Sequence, residues 1–220
     1  NIDTESVTSA VVDLSSKLPY LQEQNITSSL NIKPESGQTH SEKTDAEQMH
    51  VFLGYPGASA NDEAKYAMYL INLILGSGMS SLLFREVREK RGLAYDIESR
   101  LYNLNDCGYL TISAGLSKGR LQESLKLIER ITSDCYQTID ENVLQKAKNM
   151  YKGRLTLSME DNLSIAEFNA VSQFFTGTVS SVQEHLEKIN QVDLGEIKDI
   201  AKLYLSEPKP NTSIVGPVEE

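Results

Sequence analysis

Between Gly76 and Gly92 the sequence is punctuated so tightly that few local structures remain open to it. Gly76-Ser77-Gly78 breaks any preceding helix, because glycine gives up the most backbone freedom there. Ser80 and Ser81 stand where helix caps belong, and a helix is expected from about Ser80 to Arg91. Gly92 suits a left-handed cap at its C-terminus. Leu83, Phe84 and Val87 share the apolar face, while Arg85 with Glu89 and Glu86 with Lys90 fall at the i,i+4 spacing of ion pairs. The exit is a strand in which Leu93, Tyr95 and Ile97 alternate with Asp96 and Glu98, so the Tyr95 ring is expected to be buried. Arg88 sits at the edge of the helix's apolar face, one turn after Phe84. An Arg in a last helical turn and a Tyr at the start of the next strand can approach one spot. There they offer a peptide carbonyl a fork of donors and a single donor. An Arg near a helix C-terminus is ordinarily a partner for the dipole or a carboxylate. A Tyr on an apolar strand face is ordinarily core. Spacing alone leaves both readings open.

The rest of the chain supplies the layers around this segment. Val7, Ala10, Val11 and Leu14 give an amphipathic entry helix over residues 5–18, stopped by Pro19. Residues 20–47 are polar and turn-rich, with a short strand expected around Ser28–Lys33 and a turn at Pro34-Glu35-Ser36-Gly37. The main body runs over 47–217. Met49, Val51 and Leu53 alternate in a strand ended by Pro56-Gly57, and Asn61 is placed to cap a helix running to about Leu75. Leu110, Ile112 and Ala114 alternate in a further strand. Helices follow, marked by Leu121, Leu125 and Ile128; by Leu144, Ala147, Met150 and Tyr151 after Asp140; and by Ile165, Phe168, Val171 and Phe175. A short one holds Val182, Leu186 and Ile189, and Asp193 with Glu196 forms a candidate capping box for the last. A strand at Thr212–Val215 closes the order. The pattern predicts a single α+β domain over 1–220, a two-layer sandwich with a mostly antiparallel sheet and helices mainly on one face.

Composition removes several function classes. Thirty-one acidic against 21 basic residues leave a net charge of −10, against a general nucleic-acid binder. No apolar run approaches the ~20 residues of a membrane span, so no membrane partner is expected. Two cysteines, Cys107 and Cys135, are too few for a disulfide framework or a thiolate zinc site, and neither has a base beside it. The three histidines, His40, His50 and His185, begin or end no metal motif. His185 is expected on a solvated helix face, His40 in the polar loop and His50 in a strand. Without a His to activate them, Ser80 and Ser81 are not nucleophiles. Gly76-Ser77-Gly78 lacks the Lys-Ser/Thr of a phosphate loop. Residue 1 is Asn, not Met, so a cut or processed piece of something longer is one expectation, with fragment and separate subunit both left open.

Leu75–Ser99 closely resembles the C-terminal-half motif of the pitrilysin, insulysin and mitochondrial processing peptidase family of zinc peptidases. The likeness extends over nearly the whole chain. Thr44–Pro56 looks like the strand before the family's first long helix, and Leu157–Asp161 like its Ser-Leu-Glu helix segment. Val192–Leu205 and Val215-Gly216-Pro217 look like its final helix and strand. The resemblance implies two similar α+β halves closing on an unfolded peptide. The N-terminal half carries His-x-x-Glu-His and a distal Glu, with zinc held there and the motif Glu activating water. The C-terminal half holds no metal and contributes substrate contacts, an Arg and a Tyr seven positions apart, which here match Arg88 and Tyr95. The expected function is the substrate-binding C-terminal half of a zinc endopeptidase acting on peptides or unfolded polypeptides. It has no catalytic or metal-ligating residue of its own and is inactive alone. Its expected partners are the zinc-bearing half, on the same chain or another subunit, and the peptide, and its expected location is cytoplasmic. The alternative is a related assembly or binding subunit without catalysis.

Overall fold

The computed structural model describes residues 3–17 and 36–217, in two compact units, Asn1–Lys33 and Pro34–Glu220. In the first, helix α1 (Thr4–Ser16) starts at Asp3, whose carboxylate accepts from the backbone N–H groups of Glu5 and Ser6. It buries no residue, and Val7, Val11, Val12 and Leu14 are exposed within this unit. Pro19 and the expected strand around Ser28–Lys33 lie outside the described residues.

The second unit is built on strands β1 (Thr39–Lys43), β2 (Met49–Gly57), β3 (Ala94–Asn103), β4 (Gly108–Leu116) and β5 (Asn211–Gly216). They form one sheet in the order β1-β5-β2-β4-β3, antiparallel except for the β1–β5 pair. β1 thus brings His40 into an exposed edge strand rather than the expected loop. Strand alternation determines which face is covered. Met49, Val51, Leu53 and Tyr55 point into the core with Leu110, Ile112, Ala114 and Leu116. His50 and Phe52 are exposed on the other face, where the rings of Tyr102 and Tyr109 stack with centroids 4.8 Å apart. One helical layer therefore packs on one sheet face, as the pattern predicts.

That layer holds α2 (Ala64–Leu75), α3 (Leu121–Ser133), α4 (Glu141–Ser158), α6 (Val182–Gln191) and α7 (Leu194–Ala201). Ala67, Met68, Leu70, Ile71 and Leu75 make α2 its central member. Its start differs from expectation: the Asp62 carboxylate accepts from Ala64 N–H at 2.9 Å, while the Asn61 amide donates to the carbonyl of Asn105 at 2.9 Å. Asp140 caps α4 as expected. The reciprocal capping box is at Ser181 and Glu184, ahead of α6. Asp193 caps α7, but with only the one-way bond from Glu196 N–H.

Helix α5 (Asn162–Thr176) forms where its pattern indicates but buries no residue. Ile165 and Val171, expected inward, are exposed, as are Leu163 and Phe174.

Candidate functional site

The segment after α2 is anchored by a contact only glycine permits. The Gly76 carbonyl accepts from Ser99 N–H at 3.1 Å, and a Cβ on Gly76 would lie 2.5–2.7 Å from Ser99 atoms, its backbone nitrogen included. The end of α2 therefore rests directly on β3. The Ser99 hydroxyl donates to Asn72 Oδ1 at 2.6 Å and locks the same junction. From α4, Arg154 donates to the Ser77 hydroxyl at 2.8 Å and to the Ser77 carbonyl at 2.9 Å. The sequence singled out neither Asn72 nor Arg154. Their partners are distant along the chain, so no local spacing announces them.

The expected helix then forms with a wider winding. Phe84–Glu89 is a π-helix, with Lys90 N–H donating to the Arg85 carbonyl at 3.0 Å. Such turns are rare and often accompany functional sites. Leu83 and Val87 are fully buried beneath it, and Gly92, at φ 58°, closes it in the left-handed region as predicted. Ser81 lies just before the helix, but its hydroxyl is buried with no partner among the described residues instead of capping. The wider turn also changes the ion pairs. Glu86 meets Lys90 at 2.6 Å as expected, and Arg91 at 3.0 Å, while Arg85 reaches Glu86 at 3.5 Å rather than Glu89. The hydrogen bonds from Lys90 and Arg91 hold the Glu86 carboxyl down at about 2.

Arg88 is exposed in the last turn, with its guanidinium carbon 4.9 Å from the centre of the Phe84 ring. Among the described residues it has no carboxylate partner. The aromatic face holds it through a cation–π contact while its donors stay available. Tyr95 departs from expectation. Its side chain is 56% exposed. The register between β3 and β4 shifts between Ala94 and Asp96, so Tyr95 is the extra residue of a bulge and the simple alternation fails there. Arg88 and Tyr95 thus bracket the Gly92 turn, both solvent-facing, at the entry to edge strand β3.

His185 is not on a solvated face. Its Nε2 lies 2.8 Å from the Tyr151 hydroxyl, and its ring sits 5.2 Å from Tyr66 and 5.8 Å from Tyr69, Tyr151 and Phe168. Burial, then the nearby Lys65 charge, pull its pKa down to about 4. The signal was present: His185 shares the helical face of Val182 and Ile189, the side that packs inward. Cys135 is buried, and its thiol is pushed up to about 12 by desolvation, while Cys107 is exposed in the β3–β4 loop. Among the described residues no group of His, Cys, Asp or Glu side chains gathers as a ligand set. The residues present do not fit the zinc that the resemblance implies for the other half. Among the described residues no helix is long and apolar enough to cross a membrane.

The family model for the peptidase M16 inactive domain matches residues 1–151. An uncharacterized zinc protease of Streptomyces coelicolor is 33% identical over 175 residues, covering 79% of this chain and 38% of that protein. An uncharacterized zinc protease of Bacillus subtilis is 31% identical over 166 residues, covering 75% of this chain and 41% of that protein. The chain thus spans about two fifths of the length of these relatives. A protease from Helicobacter pylori of known structure superposes with a TM-score of 0.80 at 19% identity, covering 99% of this chain and 53% of that one. That likeness shows a common fold.

Proposed function

The chain belongs to the peptidase M16 inactive-domain family, and from that premise we propose that it is the substrate-gripping, metal-free half of a zinc-dependent endopeptidase. A zinc-bearing half, on the same polypeptide or a second subunit, supplies the metal and the base. This half supplies donors to the bound peptide. Arg88 contributes a planar fork and Tyr95 one hydroxyl, both aimed at peptide carbonyls. Donors fixed in place before the reaction favour the transition state when they meet charge that develops only there. The observation that carries this reading is that Arg88 and Tyr95 are both solvent-facing, on either side of one glycine turn, with Arg88 held by an aromatic ring instead of a carboxylate.

The test is Arg88→Ala and Tyr95→Phe in the assembled enzyme. Each is expected to lower kcat/KM ~10-fold or more, about 1.4 kcal/mol of transition-state stabilisation. Zinc content and Tm are expected to stay unchanged. One observation favours a second reading, a non-catalytic assembly subunit: α5 exposes Leu163, Val171 and Phe174 and buries nothing. Unchanged kinetics in both variants would reduce Arg88 and Tyr95 to structural roles, and an assembled complex that cleaves nothing would select the second reading.

A further inference from the structure

A second site lies beside the same motif helix and uses neither Arg88 nor Tyr95. The end of α2, the motif helix after it, the end of α3 and the first turns of α4 line a half-open cleft of about 520 Å³. That volume is typical of small-ligand sites. Its wall is aliphatic, formed by Ile74, Leu82, Ile131, Val143 and Met150. Its rim is not. Arg85, Arg130 and Lys146 stand around the opening with Glu86 and Asp134. The Glu86 carboxylate is already engaged by Lys90 and Arg91. Arg130 and Lys146 are exposed and have no carboxylate partner among the described residues. Arg85 is paired with Glu86, so the rim presents two unpaired cations, Arg130 and Lys146, against the one carboxylate of Asp134, on a chain whose net charge is −10. Cations left unpaired over an apolar wall suit an anionic head joined to an aliphatic body, since charge-assisted hydrogen bonds to a carboxylate are the strong ones. Ser80, Thr138 and Asp134 add hydroxyl and carboxylate acceptors on the same lining, which amide N–H groups can use and a simple hydrocarbon chain cannot.

We propose that this cavity binds the free C-terminus of a peptide that ends in aliphatic residues. The carboxylate meets Arg130 and Lys146, the terminal side chains fill the cavity, and the last amides face Asp134, Ser80 or Thr138. The inference stands apart from the roles given to Arg88 and Tyr95, so either can fail alone.

The experiment is calorimetric titration of the 220-residue chain with N-acetyl-Ala-Leu-Leu as the free acid, with its C-terminal amide, and with octanoate. The acid is expected to bind at least 10-fold more tightly than the amide and more tightly than octanoate. Arg130→Ala with Lys146→Ala removes two exposed side chains and leaves the core intact. It is expected to weaken the acid at least 10-fold without shifting Tm, and Arg130→Glu is expected to do the same. Equal binding of acid and amide, no binding at millimolar concentration, or unchanged binding in these variants overturns the proposal. Octanoate binding as tightly as the peptide overturns it in favour of a free aliphatic acid.

Discussion

The motif region between α2 and β3 and the helix α5 are both amphipathic in sequence, and they end in opposite states. The first is closed by its own contacts. Leu83, Val87 and Leu93 are fully buried, and Gly76 lies against the Ser99 backbone. The second has Leu163 at 75% and Phe174 at 81% exposure. Periodicity reports that a face is apolar and not what covers it. The motif finds its cover inside this chain's own layer, while α5, apart from Phe168 against His185, leaves Leu163 and Phe174 uncovered.

Four perturbations sharpen or break this contrast. The largest effect is expected from Leu83→Ala, about 3 kcal/mol by chemical denaturation, from lost transfer energy and a cavity that cannot fully collapse. A loss below half of that would mean the motif is less tightly closed than its burial indicates. Gly76→Ala comes next, at about 2 kcal/mol, because the new Cβ meets backbone as well as a hydroxyl and both must shift. Gly92→Ala should cost about 1 kcal/mol, the left-handed conformation being strained for any residue with a Cβ. Phe174→Ala, the counterpart of Leu83→Ala on α5, should change the stability of this chain by less than about 0.5 kcal/mol. A larger loss in the chain alone would show that α5 is already packed in solution.

His185 adds a pH test to the same contrast, because its cluster joins α2, α4, α5 and α6. The unfolded ring takes up its proton near 6.5, while the folded one does so only at about 4. As pH falls below 6.5 the unfolded state binds the proton first. Stability therefore declines between pH 6.5 and about 4 and is level above that window. His185→Gln keeps a polar partner for Tyr151 and should flatten the decline, read from denaturation midpoints across that window. An unchanged slope would assign the decline to other groups.

Most of the architecture was legible in local pattern. Met49, Val51 and Leu53, or Leu110, Ile112 and Ala114, alternate without interruption, and each set is buried. The Gly92 cap was legible because few residues tolerate its backbone angles. What escaped depended on counting that the chain itself altered. A π-turn moved the partner of Arg85, and a bulge brought Tyr95 to the surface. Neither departure is written in spacing, since both arise when a helix and a sheet of fixed geometry are joined through a short turn. The Arg88–Tyr95 proposal was reached through family resemblance, whereas the cavity beside it joins residues from α2, α3 and α4 and has no linear signature.

The bulge in β3 has one more consequence. Ala94 faces the core before it, and Ile97 and Ser99 face the core after it. Removing Tyr95 would leave Ala94, Asp96 and Ile97 in ordinary alternation, with every interior residue still in phase. Position 95 is thus a supernumerary position in the strand, exempt from the demands of the interior. Its side chain is free to change under selection for contact alone, while the strand on either side remains answerable to the fold.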